Sequence, residues 1–154
     1  MNVFFSDEQD EPIDGAALRR FAVFVLGEEG LPPDTEVALV MVGPEQMAEY
    51  NRLFMNRKGP TDVLAFPVTE LTPGNVPARM ANDPPVALGD VFLCPEVIKD
   101  HADKEGRVFD DWMHLLVAHG ILHLLGYDHD DDRAAEQMEQ RERELLVGAG
   151  RTPL

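Results

Sequence analysis

Lysine is scarce in this sequence. There are 3 Lys and 10 Arg against 29 Asp plus Glu, and the formal net charge is −16. A field of that sign repels phosphate backbones and anionic lipid. It excludes a protein that holds nucleic acid or a membrane surface through overall charge, but not one with a local basic strip. Cysteine is almost missing too: Cys94 stands alone. No intrachain disulfide and no thiolate zinc cluster can form, which fits a reducing compartment. No apolar run approaches the ~18 residues of a membrane span. The first twelve residues turn acidic at Asp7, Glu8, Asp10 and Glu11, whereas a secretory signal wants a basic start and ~7–15 apolar residues. The expected location is cytoplasmic.

What is present is ordinary for a globular protein: 44% hydrophobic and 27% charged residues,. At 154 residues the chain is expected to be one domain, residues 1–154, able to bury a core without disulfides. No internal repeat is visible. Asn2–Phe5 reads as a short strand. Asp14 caps a helix with Leu18, Phe21, Ala22, Val25 and Leu26 on one stripe, punctuated by Gly27 and Gly30,. Glu36–Val42, Val63–Phe66 and Ala87–Leu93 read as strands. Pro44 opens a helix through Met47, Tyr50 and Leu53, and Pro95 opens another to about Lys104. Thr69–Pro85 holds four prolines and is expected to be a mobile loop. Asp110 or Asp111 is expected to cap a strongly apolar helix reaching Leu125 and stopped by Gly126. Asp131 or Asp132 caps a last helix to about Val147, ended by Gly148. The fold class expected is α+β: a single mixed α/β domain, a central sheet of about four strands covered by about five helices.

Three of the five histidines fall within eleven residues, His119-Gly120-Ile121-Leu122-His123-Leu124-Leu125-Gly126-Tyr127-Asp128-His129. His119 and His123 are four apart on a predicted helix, so their imidazoles share one face. Gly126 lets the chain turn back, and that turn can bring in His129. Three nitrogen ligands with one open tetrahedral position make a catalytic rather than structural zinc site. The metal site is thus expected at the end of the long apolar helix. His114 falls on another face and is expected to pack or lie on the surface; His101 is expected to be solvated. The spacing is that of metzincin peptidases, but Gly120 stands where those enzymes place the glutamate that activates water.

The histidine segment resembles the signature of the YbeY family of bacterial zinc-dependent endoribonucleases. Gly59-Pro60-Thr61-Asp62-Val63-Leu64-Ala65-Phe66-Pro67 and Leu88-Gly89-Asp90-Val91 resemble two further strands of that family. The resemblance runs from about Val37 to Leu146. It implies one Zn²⁺ per chain on His119, His123 and His129. It also implies hydrolysis of single-stranded RNA, in 3′-end maturation of small-subunit ribosomal RNA and in ribosome quality control. The implied mechanism is attack of zinc-bound water on a phosphodiester, with His119 and His123 in the catalytic centre. Implied partners are single-stranded ribosomal RNA, the small ribosomal subunit and one of its proteins; neither membrane nor DNA is expected. The sequence departs from the family at Phe54 and Met55, where many members carry Tyr-Arg, and at Ala65 in place of Ser.

Arg52, Arg57 and Lys58 form the densest basic cluster. They are candidate substrate-binding residues, and Arg57 is a candidate catalytic group that counters phosphate charge. The same cluster also reads as a solvated helix end. Asp62 and Asp90 either orient the site or cap local turns. Asp128 is either a partner that holds a ligand or a surface residue. Asp130, Asp131 and Asp132 read as capping and solvated, with a second cation as the alternative. Two other functions remain open at this point: a zinc hydrolase of another class, such as a peptidase, and a non-enzymatic ribosome-assembly factor.

Overall fold

A computed structural model describes residues 1–76 and 78–154; Pro77, within the expected Thr69–Pro85 loop, lies outside the described residues. Four strands form one sheet in the order β1-β2-β4-β3: β1 Asn2–Glu8, β2 Glu36–Val42, β3 Val63–Pro67 and β4 Ala87–Leu93. Five helices accompany them: α1 Gly15–Glu28, α2 Pro44–Met55, α3 Pro95–Lys104, α4 Phe109–Leu124 and α5 Asp132–Gly148. The α+β architecture expected from the sequence is the one present. β1, β2 and β4 run parallel, and β3 pairs antiparallel to β4 as an edge strand. β1 is longer than its apolar letters suggest. It pairs with β2 over its whole length, Asn2 to Glu36 through Glu8 to Val42, so backbone hydrogen bonds carry its acidic end.

Side chains alternate across a strand, and β2 uses both faces. Val37, Leu39 and Met41 enter the main core with Leu18 and Val25 of α1, Val117 and Ile121 of α4, and Leu145 and Leu146 of α5. On the other face Val40 joins a smaller cluster with Met47 and Tyr50 of α2, Leu64 and Phe66 of β3, and Phe92. α4 is the central element, touching α1, α3, α5, β3 and β4. Most of its buried residues are apolar, which explains why its sequence reads as apolar on nearly every side.

Three helix-end expectations need correction. α4 begins at Phe109 with Val108 as its N-cap and no side-chain cap. Asp110 and Asp111 lie inside the first turn, where they face Arg151 and suit the positive end of the helix. α5 runs through Gly148; the left-handed residue that closes it is Gly150, at φ 75°. Gly27 likewise lies within α1, and the turn after it falls at Gly30, φ 76°. Asp14 and Asp131 do cap α1 and α5, accepting from the amides of Ala17 and Ala134.

Candidate metal centre and RNA-facing surface

His119 and His123 sit one turn apart near the end of α4, partly buried. The helix closes through Tyr127, whose amide donates to Leu122 O at 3.0 Å, and through Gly126, whose amide donates to His123 O. Gly126 has φ 96°, and a Cβ there would lie 2.1 Å from the carbonyl oxygen of Leu71. The turn therefore needs glycine twice, for its dihedral and for the backbone of the 69–85 segment packed against it. Within that segment Thr69 Oγ1 donates to Ala87 O at 2.6 Å and Arg79 pairs with Asp34. Beyond the turn, exposed His129 returns toward the helix. One nitrogen of each of His119, His123 and His129 lies within 4.8 Å of the others.

The protonation pattern follows from hydrogen-bond partners. Nδ1 of His123 lies 2.9 Å from Tyr127 O. A carbonyl only accepts, so Nδ1 carries the hydrogen and Nε2 a lone pair. Nδ1 of His119 lies 2.6 Å from Oε1 of Glu142; an ionised carboxylate fixes the same tautomer there. The two Nε2 atoms then face each other at 3.0 Å, lone pair against lone pair. Burial, then the neighbouring His119, pushes the His123 pKa below the ordinary imidazole value, which favours the neutral, ligating form. Nitrogens bound at ~2.0–2.1 Å to one tetrahedral ion are separated by about 3.3 Å. The donor set fits a small divalent cation: a cation between the nitrogens turns their repulsion into coordination.

The glycine that interrupts the peptidase pattern has a packing reason. A Cβ at Gly120 would lie 2.5 Å from Cγ1 of Val91 and 3.4 Å from Cγ2 of Val63. Residue 120 is where α4 rests on β4 and β3, so a glutamate has no room there. The other expected residues fall into place as follows. His114 is wholly buried, edge-on to Phe21, with Nδ1 donating to Asp110 O, and burial lowers its pKa. His101 is exposed, 3.7 Å from Asp62. Asp62 accepts from the Val63 amide and the Thr61 hydroxyl, a local turn role. Asp128 accepts from the Asp130 amide at 3.2 Å; it braces its own loop and does not reach a histidine nitrogen. Asp90 faces Phe66 and Ala38 in register on the sheet. Burial raises the Cys94 thiol pKa, so the thiol stays protonated and inert.

The basic cluster lies at the end of α2. Arg52 turns back to Glu49, 2.6 Å away; among the described residues no carboxylate lies within ion-pair distance of Arg57 or Lys58. Asn56 leaves the helix at φ 52°, ψ 42°, a conformation asparagine tolerates. Buried Asn51 holds the following turn, its Nδ2 donating to Gly59 O at 2.8 Å, and its carbonyl accepts from the Arg57 amide. Beside these cations, Phe54 is 62% exposed, its ring edge-on to Phe66 at 5.3 Å. Two contributors escaped the sequence reading. Glu142 lies nineteen residues beyond His123 on another helix, and only its i, i+3 and i+4 neighbours were legible. Asn51 looked like one more polar residue on α2.

A family profile described as Endoribonuclease YbeY matches residues 5–150 of this chain. The chain belongs to the YbeY family. Endoribonuclease YbeY of Thermobifida fusca is 40% identical over 148 residues, covering 96% of this chain and 94% of that protein. The Acidothermus cellulolyticus protein of the same name is also 40% identical, over 96% and 90%. That of Leifsonia xyli is 37% identical over 98% and 97%. The family's members are hydrolytic endoribonucleases, and the chain is an enzyme of that kind. A solution structure of a Thermotoga maritima protein shares the fold at TM-score 0.60 and 23% identity, covering 96% of this chain and 91% of that one. The matched span of residues 5–150 includes Phe54 and Met55.

Proposed function

We propose that residues 1–154 work as one zinc-dependent endoribonuclease domain, specific for single-stranded RNA, in 3′-end maturation of small-subunit ribosomal RNA and in ribosome quality control. The observation that carries the metal reading is the pair of Nε2 atoms of His119 and His123 at 3.0 Å, with His129 completing the set. Zinc, when bound, supplies an activated water and Lewis acidity toward a phosphoryl oxygen. His119, His123 and His129 hold it; Glu142 and the Tyr127 carbonyl hold two of the rings. Arg57, in forked geometry, counters charge on the phosphate under attack, with Lys58 and Arg52 along the strand. Phe54 offers a face on which a base stacks.

The peptidase alternative is disfavoured because Gly120 has no room for a base. Family membership favours an enzyme over a purely structural assembly factor. The setting we propose is cytoplasmic, on the small subunit, where the acidic surface complements a basic ribosomal protein; among the described residues no helix is long and apolar enough to cross a membrane. The test is metal content by mass spectrometry, then cleavage of a defined precursor ribosomal RNA end with and without chelator. His119→Ala and His123→Ala are expected to lose zinc and nuclease activity together. Activity surviving either change, or surviving chelation, overturns the reading.

A further inference from the structure

Among the described residues Glu142 is the only buried acidic one, 8% exposed, in a chain carrying 29 Asp plus Glu. A buried carboxylate is costly unless partnered. Its neighbour Arg141 does not serve as that partner, because it turns away to Glu29 and Glu144. Among the described residues the one side-chain hydrogen bond to Glu142 is from Nδ1 of His119, at 2.6 Å. A neutral imidazole alone is a poor counterweight for a buried negative charge. A divalent cation on the far nitrogen of the same ring is a good one, because the ring transmits the charge through the Nδ1 hydrogen.

We infer that Glu142 is a positioning residue for the metal centre, an inference that rests on the metal reading above. It acts in three ways. It fixes His119 in the tautomer whose Nε2 is free. It makes that nitrogen a stronger donor by drawing on the Nδ1 hydrogen. It offsets part of the positive charge that a divalent ion and three neutral imidazoles bring into a half-buried site. Because Glu142 sits on α5 and both helical ligands on α4, metal binding also fastens α5 to α4 at this point. The equivalent restraint on His123 is a backbone carbonyl, that of Tyr127, which no substitution removes. Of the supports to the two helical ligands, the carboxylate is therefore the one a substitution can adjust.

The experiment is a competition titration of the full, metal-stripped chain against a chromophoric zinc chelator at fixed pH. It is run on wild type, Glu142→Ala, Glu142→Gln and His119→Ala, with thermal unfolding of each metal-free form. Glu142→Ala is expected to weaken zinc binding about 10–100-fold. Glu142→Gln keeps an acceptor oxygen for Nδ1 but no charge, so it is expected to fall between, with a metal-free melting temperature matching wild type. If Glu142→Ala does not fold, Glu142→Gln decides. Zinc affinity of the variants within twofold of wild type overturns the positioning role while leaving the metal site standing; so does a lowered metal-free melting temperature with unchanged affinity. Wild type binding zinc no better than His119→Ala overturns the metal reading, and this inference with it.

Discussion

At the scale of single residues, two glycines shape the site more than any charged side chain. Gly120 sets the distance between α4 and the sheet, and so the height of His119 above β4. Gly126 sets the direction in which the chain leaves α4, and so whether His129 returns. Its φ of 96° and the Leu71 oxygen, 2.1 Å from a built Cβ, act against any side chain. Gly126→Ala is expected to cost about 2–4 kcal/mol, combining left-handed strain with overpacking against backbone. Urea unfolding of the metal-free protein checks this: the midpoint should fall with the m-value unchanged. An alanine tolerated without loss would mean the Leu71 segment yields freely. The histidine spacing announced a ligand set, but nothing in the spacing told which nitrogen of each ring is free. That came from Tyr127 O and Glu142, acceptors supplied by the fold.

At the scale of elements, α2 does two jobs with two faces. Met47 and Tyr50 cover the smaller core, while Leu53, Phe54 and Met55 are exposed at its end. One residue, left-handed Asn56, separates this triplet from Arg57 and Lys58. In the proposed reading a base stacks on Phe54 and phosphates meet the following cations. Phe54→Ala is expected to weaken binding of a labelled single-stranded oligonucleotide by about 5–150-fold, the ~1–3 kcal/mol of one base stack. Phe54→Trp should retain it. Because the ring is mostly outside the core, folding should be little affected, and circular dichroism checks that. Equal binding by wild type and Phe54→Ala would remove the ring from the RNA surface. The sequence located this cluster but left it balanced between phosphate clamp and solvated helix end. Within it Arg52 is paired with Glu49 on the exposed face of α2, so a phosphate competes with that carboxylate for its guanidinium.

At the scale of the whole molecule, the charge of −16 governs how RNA is approached. Long-range steering is repulsive, so in the proposed function contact depends on a few cations at the end of α2 and on the metal. About three phosphate contacts to a single strand give a slope of about −2 in log affinity against log salt. Binding of naked single-stranded RNA is expected to be weak and to follow that shallow slope, while cleavage improves on a small-subunit particle. Filter binding across a salt series, with parallel cleavage of free and particle-bound substrate, tests this. Tight, sequence-blind binding at physiological salt would contradict it.

Local pattern sufficed for what is local. Apolar runs and stripes, bounded by Pro, Gly and Asp, located the four strands and five helices of the described residues, because side-chain direction and chain breaks follow the local backbone. The histidine spacing and the glycine after it predicted three convergent imidazoles, because a helical turn and a tight exit are short-range geometry. Tertiary structure decided the rest. It placed β1 beside β2 and β3 at an edge, since strand order depends on which faces the helices cover. It put Gly120 against Val91, which removes the space a peptidase base would need. It brought Glu142 from the last helix to within 2.6 Å of His119, a contact between residues twenty-three apart that no local repeat encodes. It also pinned the Arg57 turn through buried Asn51. A motif states which groups are available; their protonation, orientation and supports come from neighbours the chain meets only once folded.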